Sequence, residues 1–440
     1  MGAVLSIGKL IAGGAEYYLD TVARGAEEYY LGAGEVPGRW VGAGSAQLGL
    51  EGEVTGTALR RVLDGHDKSG RPLLAGQAAK RMPGFDCTFN APKSVSLMFA
   101  LGSDEVRRQV RSAHDSAVDA ALAVLEAEAC RVRRGRGGVR VEAADGFVAA
   151  AFRHRTSRSG DPHLHTQVVV ANLTRSTTDG RWSTLDGRQL YAWSRTAGFL
   201  YEAHLRAELT GRLGVEWEPV RNGIADLAGI PRRVIDHFSR RRRDIVERMA
   251  EVGSYGGHAA QIATYATRSA KDTTVPYPVL KDGWIERAAR FGLDPAALDG
   301  LCDRTDRQAP SRDSISTDSL YLRLDAPNGL TAHRATFNRR DVIRHICERL
   351  TSGASVDDVV VLSDDYLRSR SVIALVEPGS ERIRRADGRS APIPTDQQRW
   401  TTPDMMETER LLIGMATKPI RDRARFGRSL RPTPRVSVRG

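Results

Sequence analysis

The sequence predicts a soluble chain of mixed α and β structure, and three observations carry that reading. With 440 residues, 41% of them apolar and 27% charged, it can bury a sizeable core and fill two or three domains. Up to about residue 295, period-two apolar alternation repeatedly gives way to helical spacing. No apolar run approaches the roughly 18 residues needed to cross a bilayer, so no membrane insertion is expected. Wholesale disorder, a disulfide scaffold and a collagen-like fibre are excluded by the same composition. The formal net charge of +11 points first to a polyanionic partner, nucleic acid above all.

Taken in order, the apolar start at residues 3–12 is broken by Lys9 and glycines and runs into Glu16, a poor signal peptide. Cys87, Cys130, Cys302 and Cys347 form no CxxC pair, which suits a reducing cytoplasm rather than a structural zinc or a redox motif. Between residues 84 and 89, Phe85, Cys87 and Phe89 fall on one face and Asp86 and Thr88 on the other, the pattern of a half-buried strand. Val106, Val110, Ala113, Val118, Ala121 and Leu125 stripe one or two amphipathic helices over residues 104–128. A basic, glycine-rich loop is expected over 131–138. Strands over 147–154 and 164–172 are joined by a polar turn containing Asp161-Pro162. Helices are expected over 194–213 and 231–251. Beyond a domain of residues 1–295, a linker over 296–316 leads to a mainly helical segment, 317–415, and then to a disordered basic tail, 416–440. There is no GxxxxGK[ST] phosphate loop, so no ATP site of that kind is expected.

The densest chemistry lies between His154 and Gln167. On an extended strand, residues two apart share a face, so His163, His165 and Gln167 point one way, and His154 reaches the same place if the two strands pair. Imidazoles with a harder amide oxygen suit Mn²⁺, Mg²⁺ or Zn²⁺ with open positions for a phosphate. Near the N-terminus stand two tyrosine doublets, Tyr17-Tyr18 and Tyr29-Tyr30, flanked by glutamates. A phenol attacks a phosphodiester only with help from a base or a polarised phosphate, and tyrosine doublets otherwise pack. Asp86 can orient a ligand or take a proton. Lys93, Arg158, Arg240 and Arg241 are candidate phosphate contacts, and Trp40 and Trp182 could stack on a base or pack in the core.

These elements, in this order, resemble the conjugative relaxases of the TrwC/TraI type, the MobF class within the HUH endonuclease superfamily. The resemblance runs from Leu5-Ser6-Ile7-Gly8-Lys9 through the tyrosine doublets, Gly38-Arg39-Trp40, the Ala91-Pro92-Lys93-Ser94-Val95-Ser96 block and the His154–Gln167 cluster to about residue 295. It implies an α+β fold with a central antiparallel sheet, flanking helices, and a metal site on the sheet's exposed face. It also implies a metal-dependent nicking and religation of single-stranded DNA at an origin of transfer, with an adjacent hairpin and the conjugation machinery as partners. By the resemblance Tyr17 is the nucleophile, Tyr29 the second catalytic tyrosine, Asp86 the family's aspartate and His154 its first metal histidine.

One departure concerns the family's His-x-His pair, which reads His165-Thr166-Gln167 here, while an extra His163 stands two positions upstream. The expected ligands are therefore His154, His165 and Gln167, with His163 as an alternate ligand or a phosphate contact. Family members usually continue into a helicase, so this chain reads as truncated. Two alternatives stand beside nicking: a remnant that binds the origin without cutting, and a rolling-circle initiator. Residues 418–440 carry 8 basic residues and 1 acidic, so most of the net charge sits in the tail.

Overall fold

The structure, a computed structural model, describes residues 4–10, 37–74, 81–135, 138, 140–253, 277–302, 312–375, 382–384, 390–392 and 398–417. Tyr17, Tyr29 and the basic tail lie outside the described residues.

Five strands form one antiparallel sheet. In chain order the strands are β1 (Leu5–Lys9), β2 (Arg39–Val41), β3 (Gly84–Asn90), then β4 (Arg131–Arg134) and β5 (Arg140–Ala143), which pair as a separate ribbon, then β6 (Ala149–Thr156) and β7 (Pro162–Ala171). The sheet order is β1-β3-β7-β6-β2. Helices α1 (Ala43–Gln47) and α2 (Gly56–Leu63) follow β2. The central strand β7 is flanked by β3 and β6, so its backbone is bonded along both edges.

Alternation along these strands divides the sheet into two faces. Phe85, Cys87 and Phe89 of β3, with Leu164, Val168 and Val170 of β7, enter the larger core. That core is roofed by α3 (Lys93–Leu101), α4 (Asp104–Ala129) and α5 (Gly187–Leu213). The expected stripe on α4 is buried as one continuous helix, its start fixed by Ser103 Oγ, which accepts from the Val106 amide. Helix α5 begins seven residues earlier than the sequence pattern indicates, because Asp186 caps it. On the other face a smaller core gathers Val148, Ala150, Phe152 and Val169 beneath Leu59, Val62 and Leu63 of α2. Past Phe152 this second face turns polar, and the histidines begin.

Two expectations are corrected. The basic segment 131–138 is a strand at its start rather than a loop: Val132 is fully buried and pairs with Glu142 across the ribbon. The helix expected over 231–251 is two, α6 (Arg232–His237) and α7 (Arg240–Glu251), broken where buried Phe238 turns inward.

Next come α8 (Tyr277–Ala289) and α9 (Pro295–Asp299), then α10 (Thr317–Asp325), α11 (Arg339–Arg349), α12 (Val356–Arg368) and α13 (Pro403–Thr417). Of these, α10, α11 and α12 share the larger core: Leu320, Val342, Ile346, Val359 and Leu362 belong to the same buried cluster as α4 and α5. Fully buried Arg206 of α5 donates to the carbonyls of Gly223, Cys347 and Leu350, and so ties off the end of α11. Gly353 lets the chain pass over α5 with φ +82°; a Cβ there would lie 2.1 Å from the Ala203 oxygen.

Candidate metal and nucleotidyl-transfer site

The site is built by register. His154 of β6 stands directly opposite His165 of β7, their ring centroids 5.2 Å apart. On the other side of β7, Asn90 pairs with His165, Thr88 with Gln167 and Asp86 with Val169. Because partners across a ladder share a face, Asp86, Thr88, Asn90, His154, His163, His165 and Gln167 all occupy the polar half of the second face. Beneath them, Leu164, Thr166 and Val168 point into the larger core.

Hydrogen bonds orient these side chains. His165 Nδ1 lies 2.9 Å from the His163 carbonyl, and a ring nitrogen facing a carbonyl carries the proton, which fixes the tautomer and the ring's orientation. His163 stacks on His165 at 4.6 Å, and its Nε2 donates to Asn90 Oδ1 at 3.1 Å. Burial pushes the His163 ring far below its ordinary range, with His165 and Lys93 adding to the effect, so His163 is neutral and held to Asn90. The Gln167 amide oxygen is buried and receives no donor among the described residues. Asp86, diagonal to Gln167, accepts from the Thr88 hydroxyl at 2.9 Å.

Behind the strand, Thr166 Oγ1 is 2.8 Å from Nε2 of His114 on α4, and the other nitrogen of that ring is 2.8 Å from the Tyr201 hydroxyl of α5. Burial drives the His114 ring well below its usual value, and the nearby Arg153 adds to this. This brace fixes the residue between His165 and Gln167. Sequence reasoning missed it, and the one available signal was a histidine inside the apolar stripe of α4.

The β6–β7 turn is clamped as well. Asp161, 1% exposed, accepts from the Arg240 backbone amide at 3.1 Å and its Nε at 2.9 Å, and from Arg287 at 3.1 Å. Arg240 also donates to the Ser159 carbonyl, and Trp284 Nε1 to that of Gly160. Arg240, expected at the DNA backbone, also tethers this turn, with 44% of its side chain still exposed. Lys93 likewise gives its ammonium to the Pro162 carbonyl at 2.5 Å, and burial lowers its pKa to about 8 against a partial offset from Asp161. Arg158 lies in the turn itself and Arg241 on α7 beside Arg240, both half-buried. Trp40 and Trp182 pack against the smaller core.

Residues 11–291, more than half of the chain, match the family of TrwC relaxases. The chain belongs to the TrwC relaxase family. It is 32% identical over 356 residues to the multifunctional conjugation protein TraI of Escherichia coli, and 31% identical over 358 residues to that of strain K12. Each match takes in 77% of this chain and 19% of TraI, so the chain spans about a fifth of these relatives' length. Among solved structures it is similar to TrwC in complex with origin-of-transfer DNA in a copper-bound form, with TM-score 0.58 and 34% identity over 66% of this chain and 99% of that one. TrwC bound to a 27-mer comprising the recognition hairpin and the cleavage site gives 0.56 and 33%.

Among the described residues no three His, Cys, Asp or Glu side chains converge into a ready-made metal cage. The paired strands β6 and β7 instead offer the imidazoles of His154 and His165 and the Gln167 oxygen, which has no donor among the described residues. An acceptor without a donor among the described residues, beside an imidazole whose Nδ1 faces a carbonyl, fits a divalent cation with positions left open.

Proposed function

We propose that this chain nicks and religates single-stranded DNA at an origin of transfer through a 5'-phosphotyrosine intermediate. The observation that carries the reading is the His154–His165 pair facing each other beside the Gln167 oxygen, which has no donor among the described residues, on the polar half of the second sheet face. His154, His165 and Gln167 would hold a divalent metal, Mg²⁺ or Mn²⁺ first and Zn²⁺ also possible by donor type. Bound there, the cation supplies charge neutralisation at the scissile phosphate, and every other role falls to side chains.

Tyr17 attacks phosphorus through its oxygen. The P–O bond to the tyrosine forms, the bond to the 3'-oxygen breaks, and that oxygen leaves as a hydroxyl after taking a proton. Asp86 accepts the phenolic proton or orients a ligand. The new ester keeps the phosphodiester's energy, so religation needs no ATP, either by reversal or by exchange onto Tyr29. His163, fixed to Asn90, orients His165 by stacking on it, and Arg158 and Arg241 contact phosphates. The hairpin beside the nick, the conjugation machinery and a cytoplasmic location are part of the same reading.

The test is an origin-bearing oligonucleotide incubated with Mn²⁺ and resolved on a denaturing gel. A covalent adduct that is lost with EDTA and in Tyr17→Phe is the expected result; adduct persisting in Tyr17→Phe reassigns the nucleophile. Gln167 in place of a third histidine favours one second reading, an origin-binding protein that does not cut. A gel shift with no adduct under any divalent metal would establish it.

A further inference from the structure

Between α11 and α12 the chain crosses α5 over residues 351–355, and hydrogen bonds tie it down there. The Ala354 amide donates to the Ala203 carbonyl at 3.2 Å, and Thr210 Oγ1 to that of Ser352 at 3.4 Å. A third bond is of a different kind. At the start of α12 the first amides have no partner within the helix. Ser355 Oγ accepts from the amide of Asp358 at 3.0 Å, and Nδ1 of His204, on α5, accepts from that of Val356 at 3.1 Å.

A backbone amide can only donate, so this bond dictates the ring's protonation: Nδ1 keeps its lone pair and Nε2 carries the proton. Nε2 in turn lies 3.1 Å from Ser116 Oγ of α4 and 3.5 Å from Glu208 Oε1 of α5. One imidazole thus joins three helices, and only in its neutral form. A proton on Nδ1 would set N–H against N–H at the positive end of α12. The charged groups around the ring are Glu208 and Arg212 on α5 and Asp357 and Asp358 on α12, while the α4 contact, Ser116, is uncharged. Burial pulls the ring below its ordinary 6.5 and Arg212 adds to this, but the three carboxylates hold it back. His114 and His163, whose neighbours are cations and other imidazoles, are driven much further down.

We propose that His204 is a pH-sensitive latch: neutral, it holds the crossing and the first turn of α12 on α5, and protonated at Nδ1 it lets them go. The released ring takes a proton at its ordinary value and the docked ring only below it, so acid favours release. From 6.5 downward, each pH unit multiplies the released-to-docked ratio by up to about ten, until the docked ring's own lower value is reached. The apolar core beneath α11, where Val342 and Ile346 are fully buried, does not titrate, so α11 stays in place. His345, pushed down to about 4 by burial and Arg349, is a separate imidazole on α11, and its titration would loosen α11 itself.

Hydrogen exchange of the full chain near pH 7.5 and near pH 5.5, read by mass spectrometry and corrected for the chemical rate, follows residues 351–358 against α11 and β7. His204→Asn keeps an acceptor that does not titrate, and His204→Gln does so on a longer side chain; either suffices. The wild type is expected to lose up to about tenfold in protection over 351–358 in acid while α11 and β7 keep theirs, and the variants to show no such loss. Unchanged protection in the wild type overturns the latch. So does a loss of equal size in the variants, or one that vanishes in His345→Gln, since another group would then carry the response. A loss shared by α11 and β7 is global unfolding and overturns it as well.

Discussion

In the proposed site Gln167 would present a neutral oxygen where an imidazole would present nitrogen, and that difference would set the ranking of metals. Gln167→His is expected to tighten Zn²⁺ by about tenfold or more in calorimetric titration while changing Mn²⁺ less, since nitrogen donors favour the later metals. Equal gains for both ions would mean that the amide is not a ligand. Lys93 makes a separate statement about pH. Its pKa is about 8 in the folded chain against 10.5 ordinarily, because burial disfavours the ammonium. Between those values the unfolded chain holds a proton that the folded chain has released, so stability rises with pH across that window; below it the penalty is constant. Lys93→Met is expected to remove this rise, which amounts to up to about 3 kcal/mol, in urea titrations from pH 7 to 10.5. A wild-type chain with no such rise would place the ammonium in water.

The β6–β7 hairpin owes its precision to Asp161. Replacing it with Ala leaves Arg240, Arg287 and Lys93 around an empty place and is expected to cost on the order of 2 kcal/mol, below the full figure for a buried pair because Arg240 keeps 44% of its side chain in water. Thermal denaturation checks the cost; an unchanged Tm would show the clamp to be idle. The strands themselves were legible, since period-two alternation in β3 and β7 follows directly from one buried face. The shared face of His163, His165 and Gln167 was legible for the same reason, and His154 needed only the pairing. The clamp was not, because Arg240 and Arg287 arrive from 79 and 126 residues away, and an arginine run reads equally as a solvated face or a DNA contact. Helix ends were misjudged where a cap, Asp186, lies outside the apolar pattern, and where Phe238 interrupts one.

For the molecule as a whole, α10, α11 and α12 extend the helical side of the larger core by packing on α5 and on one another. The sequence reading set a linker at 296–316; α9 overlaps its start, and α10, α11 and α12 enter the same core. Separation was inferred from polar, proline-bearing composition, which reports local exposure and says nothing of what a later helix packs against. Gly353→Ala drives a methyl into the Ala203 carbonyl and is expected to undock α11 and α12, seen as new tryptic cleavage after residue 312 and a Tm several degrees lower; unchanged digestion would mean the junction tolerates it. No helix among the described residues is long and apolar enough to cross a membrane.

The central claim is a metal held on the sheet face by His154, His165 and the Gln167 amide. It is tested most directly by Mn²⁺ titration of wild type, His154→Ala, His165→Ala, Gln167→Ala and His163→Ala. One site per chain, abolished in the first two variants, weakened in Gln167→Ala and kept within a few-fold in His163→Ala, is the result expected. Binding that survives His165→Ala, or that disappears in His163→Ala while Gln167→Ala binds like wild type, would contradict it.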